Sequence, residues 1–162
     1  MIEVVKGDLL KSDCTVIGHQ ANCFSTMGAG IARRIALIYP DAKRADLSFP
    51  GKPQERLGKC SYAVCEKMNG EMVVIFNLYG QFDYGRDPFK IYTNYTALRS
   101  ALNNMLYTVE ELQRRMVIST IKIGLPYGIG AGLANGDWKT IEKLIRDVSH
   151  YHNKTIYLYE LE

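Results

Sequence analysis

Three polar residues, His19, Asn22 and Asp137, have the types and positions that suggest chemistry. His19 directly follows the apolar run 15–18, which predicts a buried strand, and Asn22 comes three residues later. An imidazole with an ordinary pKa near ~6.5 suits general acid–base catalysis, and an amide can bond a ligand hydroxyl from either end. Asp137 stands at the predicted start of the last helix, where its carboxylate would orient or deprotonate a water molecule.

Each of these residues also has a structural interpretation. His19 is equally consistent with a packed histidine bonded to a backbone carbonyl, and Asn22 with a residue that caps a turn. Asp137 is well placed to stabilise the helix dipole without any ligand. The residues alone therefore leave catalytic and structural roles open.

Two glycine loops lie at the ends of predicted strands. The first is 27–31, followed by a predicted helix with isoleucines at 31, 35 and 38, and the second is 128–133, followed by a helix from 137. Glycine lets backbone N–H groups approach a ligand, and a helix N-terminus favours anions. Because ligands of open α/β sheets sit at the carboxyl ends of the strands, the two loops predict one crevice that holds a diphosphate. The alternative is a pair of ordinary strand–turn–helix joints, since neither loop has a Walker or complete G-x-G-x-x-G pattern.

The remaining elements alternate along the chain. Apolar runs predict strands at 2–5, 60–66, 72–78, 117–125 and 155–161, and helical spacing predicts helices from about 31 to 39, 92 to 113 and 137 to 152. Asn69-Gly70 predicts a hairpin, whereas residues 41–56 are expected to form a long surface loop with at most one helical turn. This order predicts an α/β fold, a three-layer α/β/α sandwich with a mixed sheet, as a single domain over 1–162.

Composition excludes several classes of protein. The 162 residues are 47% hydrophobic and 23% charged with a net charge of +3, which is ordinary for a globular domain and gives no support for a nucleic-acid coat. With no leader-like segment and no apolar run of ~18 residues, we expect a cytoplasmic protein without a membrane partner. The four cysteines are expected to be reduced, and Cys14, His19 and Cys23 fit no usual zinc spacing, so no metal or cofactor is expected.

Common phosphatase motifs are also missing. No cysteine precedes an arginine by six residues, and no cluster of His and carboxylate residues suggests a two-metal centre. Any phosphoester chemistry must therefore depend on backbone donors and a few side chains.

Four blocks of sequence, in this order and spacing, resemble a macrodomain. The blocks are Lys6-Gly7-Asp8-Leu9-Leu10, Asn22-Cys23 with Met27-Gly28-Ala29-Gly30-Ile31-Ala32, Leu57-Gly58-Lys59-Cys60, and Gly130-Ala131-Gly132-Leu133-Ala134 with Gly136-Asp137-Trp138. They extend over nearly the whole chain. The sequence is most similar to the branch that holds the yeast-type ADP-ribose-1″-phosphate phosphatase and the terminal ADP-ribose protein hydrolases.

The resemblance implies an ADP-ribose site and assigns roles within it. His19 matches the proposed catalytic histidine of the yeast-type phosphatase, and Asn22 and Asp137 complete the expected catalytic set. Asp8 would accept the exocyclic amine of adenine, although it could instead cap the short segment after it. The ligand-binding residues implied by the resemblance are Asp8, Leu9, Met27, Gly28, Ala29, Gly30, Ile31, Tyr79, Gln81, Gly128, Ile129, Gly130, Ala131, Gly132 and Leu133.

One departure from the branch affects the mechanism. The nucleophilic lysine of the terminal ADP-ribose hydrolases would fall near Gly80 and Gln81, and no lysine follows until Lys90. The surrounding loop, 77–88, predicts either a ligand wall or a solvent loop with partly buried rings.

These observations predict a macrodomain that hydrolyses ADP-ribose-1″-phosphate to ADP-ribose and phosphate. The alternatives are a hydrolase that removes ADP-ribose from modified macromolecules and a reader that binds ADP-ribose without turnover. If His19 and Asp137 both point away from the distal ribose, the reader is favoured. The expected partners are ADP-ribose or its derivatives and ADP-ribosylated protein, and the chain is expected to be a monomer.

Overall fold

A computed structural model describes residues 1–162, which form six strands, five α-helices and a short 3-10 helix at Leu9–Lys11. The strands are β1 (Ile2–Lys6), β2 (Val16–Asn22), β3 (Cys60–Glu66), β4 (Met72–Gln81), β5 (Ile123–Pro126) and β6 (Ile156–Glu160). The helices are α1 (Gly30–Ile38), α2 (Pro40–Ser48), α3 (Pro53–Arg56), α4 (Tyr95–Arg114) and α5 (Trp138–His152). None of the helices is long and apolar enough to cross a membrane.

All six strands belong to one sheet, in the order β1-β6-β5-β2-β4-β3. Only the β3–β4 pair is antiparallel, and it is the hairpin predicted at Asn69-Gly70. The other pairs are parallel, so the carboxyl ends of β2, β4 and β5 meet at one edge in the middle of the sheet. The predicted mixed sheet is confirmed.

Helices cover both faces of the sheet, because each face carries its own apolar core. The larger core, of 21 buried residues, joins the sheet to α4 and α5. The smaller core, of 12 buried residues, lies beneath α1, α2 and the 3-10 helix. The three-layer α/β/α architecture is thereby confirmed.

The prediction of a surface loop over 41–56 is wrong. Both α2 and α3 begin with a proline at the first helical position, where the missing N–H costs nothing. Ala42 and Asp46, four residues apart, are the completely buried side of α2. The charged residues between them hid this helix from a search for apolar spacing.

Strand boundaries also differ from prediction, most of all at β2 and β5. β2 continues to Asn22, so His19 lies within the strand and not after it. β5 is limited to Ile123–Pro126, because the chain after α4 first turns at Met116, whose φ is +63°, before it reaches the sheet.

Candidate ligand-binding crevice

A cavity of about 580 Å³ lies at the carboxyl ends of β2, β4 and β5. This volume falls in the usual range of roughly 300–1,000 Å³ for small-molecule sites. Its wall consists of Gln20, Ala21, Asn22, Thr26, Met27, Gly28, Ala29, Gly30, Ile31, Ala32, Asp46, Gln81, Tyr84, Gly85, Arg86, Pro126, Tyr127, Gly128, Ile129, Gly130, Gly132, Leu133 and Ala134.

The first glycine loop leads into the N-terminus of α1. Gly30 has a φ of +57°, and Met27 adopts φ +39°, which is uncommon for a residue with a side chain. No side chain caps the N-terminus of α1, so its first N–H groups are available to a ligand. This arrangement is suited to an anion such as a diphosphate.

Side chains from α2 and α3 hold the first loop in place. Lys43 Nζ donates to the carbonyl oxygens of Ser25 and Thr26, each at 2.9 Å. Arg56 Nη1 donates to Ser25 Oγ at 2.7 Å. Ser25 itself has a φ of +56°, so these bonds stabilise a backbone conformation that serine seldom adopts.

The second glycine loop forms the opposite wall. Gly128 and Gly130 have φ values of +79° and +75°. The Gly130 carbonyl accepts from Thr93 Oγ1 at 2.7 Å and from the Gly136 N–H at 2.8 Å. A Cβ atom on Gly130 would lie 3.1 Å from Gln20 Oε1, so a side chain here would be tight against its neighbours and strained by the positive φ.

A third wall comes from residues 82–92, which we call the bridging loop. The Phe82 carbonyl accepts from the Cys23 N–H at 3.0 Å, next to the first glycine loop. At the other end of the bridging loop, the Tyr92 N–H donates to the Ala134 carbonyl at 2.8 Å, next to the second. The bridging loop thus closes one end of the crevice, and the prediction of a ligand wall at 77–88 fits its geometry better than a solvent loop.

Only two charged residues, Asp46 and Arg86, lie in the wall. Arg86 is exposed on the bridging loop. Asp46 is completely buried, and its Oδ1 accepts from Tyr79 Oη at 2.8 Å and from Ser25 Oγ at 3.2 Å. No group of three or more His, Cys, Asp or Glu side chains is arranged to hold a metal ion.

Most of the predicted site residues lie in this wall. They are Asn22, Met27, Gly28, Ala29, Gly30, Ile31, Gln81, Gly128, Ile129, Gly130, Gly132 and Leu133. Both ends of the Asn22 amide serve the turn: Nδ2 donates to Thr26 Oγ1 at 2.7 Å, and Oδ1 accepts from the Phe24 N–H at 2.8 Å. The structure gives Asn22 the capping role considered from sequence while also placing it in the wall.

His19 does not reach the crevice, contrary to the expected catalytic position. It is completely buried beneath α2, and its Nε2 lies 2.7 Å from Asn77 Oδ1. Burial lowers the pKa of this imidazole, although the bond to Asn77 partly opposes the shift. The cause is the length of β2: as a strand residue, His19 faces the smaller core, on the opposite side from Gln20.

Asp137 also lies outside the wall. Its Oδ2 caps α5 by accepting from the Thr140 N–H at 3.0 Å and from Thr140 Oγ1 at 2.7 Å. These bonds hold the pKa of the Asp137 carboxyl below its usual value. The structural role considered from the sequence is the one that the geometry shows.

Asp8 is committed to protein groups. Its Oδ2 lies 2.7 Å from Arg34 Nη2, and its Oδ1 accepts from the Leu10 N–H at 3.0 Å. The bond to Arg34 is the main cause of a lowered pKa at Asp8. Asp8 is outside the cavity wall, so the structure does not bring this carboxylate to a ligand there.

Three other predicted ligand-binding residues are not in the wall. Leu9 packs in the smaller core, and Tyr79 is completely buried, with its hydroxyl bonded to Asp46 and Ser61. Ala131 packs against the larger core, because the turn at 128–131 directs it inward. A loop residue next to a glycine need not face the ligand.

Sequence reasoning missed several wall residues, above all Gln20, Asp46, Tyr84 and Arg86. Alternation along β2 would have indicated Gln20, had the strand been continued past residue 18. Arg86 is the one cation in the segment Tyr84-Gly85-Arg86-Asp87 of the predicted ligand wall. Its position in that loop could have indicated a ligand contact. No local signal marks Asp46, because α2 was predicted to be a loop.

No family model matches the sequence, but individual proteins do. An uncharacterised 17.5 kDa protein from the tk-vs intergenic region of phage T4 is 33% identical over 149 residues, which cover 90% of this chain and 88% of that protein. The ADP-ribose 1″-phosphate phosphatase of Saccharomyces cerevisiae is 28% identical over 178 residues, covering 96% of this chain and 97% of the enzyme.

Solved structures share the fold at lower identity. The macrodomain of Mycobacterium tuberculosis DarG matches with a TM-score of 0.72 at 19% identity, and the match covers 99% of this chain and 97% of the DarG macrodomain chain. Thermosipho africanus DarTG in complex with ADP-ribose matches with a TM-score of 0.71 at 15% identity, and the match covers 98% of this chain and 41% of the DarTG chain. With the four sequence blocks, these likenesses show that the chain has the macrodomain fold.

Proposed function

We propose that this protein binds ADP-ribose in the crevice. The observation that carries the proposal is the cavity of about 580 Å³ between two glycine loops, with the uncapped N-terminus of α1 at its wall. Backbone N–H groups at such a terminus bind phosphate oxygens without competing side chains. The likeness to a DarTG structure that holds ADP-ribose supports the choice of ligand.

The crevice suggests an orientation for the ligand. The diphosphate would lie between Gly28–Gly30 and Gly128–Gly130, next to the uncapped N-terminus of α1. The distal ribose would face the closed end, whose wall includes Asn22 and Gln81. The adenosine half would extend to the other end, along apolar residues such as Ile31 and Leu133.

Hydrolysis of ADP-ribose-1″-phosphate is the second candidate. It is favoured by the likeness to the yeast phosphatase over nearly the full length of both chains. Phosphoryl transfer depends mostly on positioning and charge stabilisation, which glycine-loop donors and Arg86 can supply. Since neither His19 nor Asp137 touches the crevice, turnover would depend on these groups, and binding without turnover is the simpler function for this wall.

Calorimetry with ADP-ribose tests the binding proposal. Gly130→Val should abolish measurable binding, because the new side chain would collide with the wall and strain the loop. Gly70→Val is the matched control: Gly70 also has a positive φ, +86°, but lies in the β3–β4 hairpin. Equal affinity in wild type and a folded Gly130→Val protein would refute the site, and absence of binding in wild type would refute the function.

Turnover is tested separately. Wild-type protein is incubated with ADP-ribose-1″-phosphate and, in parallel, with glutamate-linked ADP-ribosylated protein, and both products are followed. Phosphate release from the first substrate supports the phosphatase, and ADP-ribose release from the second supports the macromolecular hydrolase. Binding without either product leaves the reader.

A further inference from the structure

The bridging loop closes the crevice through contacts at both of its ends. Near the first glycine loop, the Phe82 and Tyr84 rings pack against Phe24 at centroid distances of 5.0 and 6.2 Å. Near the second, Asn135 Nδ2 donates to the carbonyl oxygens of Asp87 and Lys90 at 2.9 and 2.8 Å. Arg86 lies between these two sets of contacts, in the part of the bridging loop that lines the cavity. It therefore belongs to the closed end of the crevice, where the distal ribose is assigned.

Arg86 is the only cation in the cavity wall, and it takes part in none of the ion pairs of the protein. Lys90, in the same loop, differs in both respects. Its Nζ lies 3.7 Å from Asp83 Oδ2 and 4.9 Å from the centroid of the Tyr92 ring, outside the wall. The bridging loop thus holds one committed cation and one free cation.

The free guanidinium matches a phosphate better than it matches a sugar hydroxyl. Arginine presents a planar fork of donors that engages two phosphate oxygens at once. The diphosphate already has the glycine loops and the N-terminus of α1, at Gly28–Gly30. Arg86 shares the cavity wall with Asn22 and Gln81, at the closed end to which the distal ribose is assigned, so a substituent on that ribose would meet it there.

The acidic residue of the wall does not neutralise Arg86. Asp46 is completely buried, and one of its carboxylate oxygens is held by Tyr79 and Ser25, which is itself bonded to Arg56. No hydrogen bond or ion pair joins Asp46 to Arg86. The positive charge of Arg86 therefore remains available to a ligand.

We propose that Arg86 is a specificity residue that binds an anionic group on the distal ribose, so that the crevice prefers ADP-ribose-1″-phosphate to ADP-ribose. This inference rests on the proposed ADP-ribose site. It concerns recognition of the terminal phosphate and holds whether or not the phosphate is subsequently hydrolysed.

Competition binding against a fluorescent ADP-ribose analogue tests the preference, with readings taken before phosphate release becomes measurable. Wild type should bind ADP-ribose-1″-phosphate about tenfold more tightly than ADP-ribose, which is the scale of one charge-assisted contact at a partly exposed site. Arg86→Gln should remove this preference and change ADP-ribose affinity by less than about twofold. Arg86→Lys should keep part of the preference, because it retains the charge but not the fork.

Lys90→Gln is the matched control, since it removes a cation from the same loop without altering the wall. Its preference for the terminal phosphate should equal that of wild type. Raising the salt concentration should weaken the preference in wild type and leave Arg86→Gln unaffected, because the charge is exposed. If phosphate is released, Arg86→Gln should raise KM for ADP-ribose-1″-phosphate without changing inhibition by ADP-ribose.

The possible failures are distinguishable. A wild type that does not bind ADP-ribose overturns the proposed function itself. A wild type that binds both ligands equally, or an Arg86→Gln protein that loses both equally, overturns only the role of Arg86. A Lys90→Gln protein with the defect of Arg86→Gln would show a nonspecific effect of loop charge and would also overturn it.

Discussion

His19→Gln should change the pH dependence of stability and leave ligand binding intact. Asn77 Nδ2 donates to the Ala42 carbonyl and to Ser61 Oγ, each at 3.0 Å, so Asn77 Oδ1 must accept from His19 Nε2 at 2.7 Å. The proton is therefore on Nε2, and Nδ1 is a buried atom with no hydrogen-bond partner. Glutamine can offer an N–H to Asn77 but cannot take up a proton.

The sign of the effect follows from burial. Desolvation lowers the pKa of His19 in the folded state below its ordinary value of 6.5, despite the opposing influence of Asn77 and Asp46. Below about pH 6.5 the unfolded chain binds a proton that the folded chain refuses, so stability is lost as the pH falls. The loss for one proton is at most about 1.4 kcal/mol per pH unit, or about 2 kcal/mol between pH 6.5 and pH 5.

Urea unfolding at several pH values between 7 and 5, followed by the fluorescence of the single tryptophan, measures this loss. Between pH 7 and pH 5, the free energy of unfolding of wild type should fall by about 1–2 kcal/mol. That of His19→Gln should fall clearly less. His152→Gln is the comparison. Partial burial also lowers the pKa of His152, but this side chain is not completely buried, so its replacement should reduce the pH dependence less than His19→Gln does. Parallel pH profiles in wild type and His19→Gln would refute a buried neutral imidazole, and loss of phosphate release with normal ADP-ribose affinity would restore a catalytic role.

Three further substitutions separate structural from ligand-binding roles. Tyr79→Phe removes a hydrogen bond to the buried carboxylate of Asp46 and should cost roughly 1.5–3 kcal/mol in urea unfolding at pH 7; a cost near zero would mean that Asp46 is not held as described. Asp137→Ala removes the cap of α5 and should lower the melting temperature, while calorimetry should show ADP-ribose affinity within twofold of wild type; a large loss of affinity would return Asp137 to the site. Asp8→Ala should change ADP-ribose affinity by less than about threefold, because Arg34 and the Leu10 N–H already hold both carboxylate oxygens. A loss of about tenfold with unchanged binding of ribose-5-phosphate would instead support adenine recognition by Asp8.

Much of the fold could be predicted because its signals are local. Asn69-Gly70 specifies a hairpin turn, and the apolar spacing of α5 places Ile141, Leu144 and Ile145 on one face, where they are buried. α2 could not be found in this way. The buried side of α2 is made of Ala42 and Asp46, and a buried aspartate gives no apolar signal.

The glycine loops were predictable for a related reason, and His19 was not. A left-handed backbone and a close approach to a ligand both require glycine, so the sequence marks the loops directly. The side of the sheet that His19 faces depends on whether β2 continues past residue 18, and its burial depends on α2 lying above it. Neither condition is visible from the residues next to His19, whose catalytic assignment came from the resemblance to the yeast-type phosphatase.

The glycine-loop backbone and the side chains of the crevice contribute differently to ligand specificity. Donors supplied by glycine loops and a helix N-terminus do not depend on neighbouring side chains, so the proposed diphosphate site places few demands on the residues around it. Selection among ADP-ribose derivatives must then come from side chains at the closed end. In this chain that end holds Gln81, near the place where the resemblance puts the nucleophilic lysine of the terminal ADP-ribose hydrolases, and the free guanidinium of Arg86. An amide cannot form the covalent intermediate, whereas a guanidinium can bind a terminal phosphate, so the bridging loop, more than the glycine loops, should decide which derivative this protein recognises.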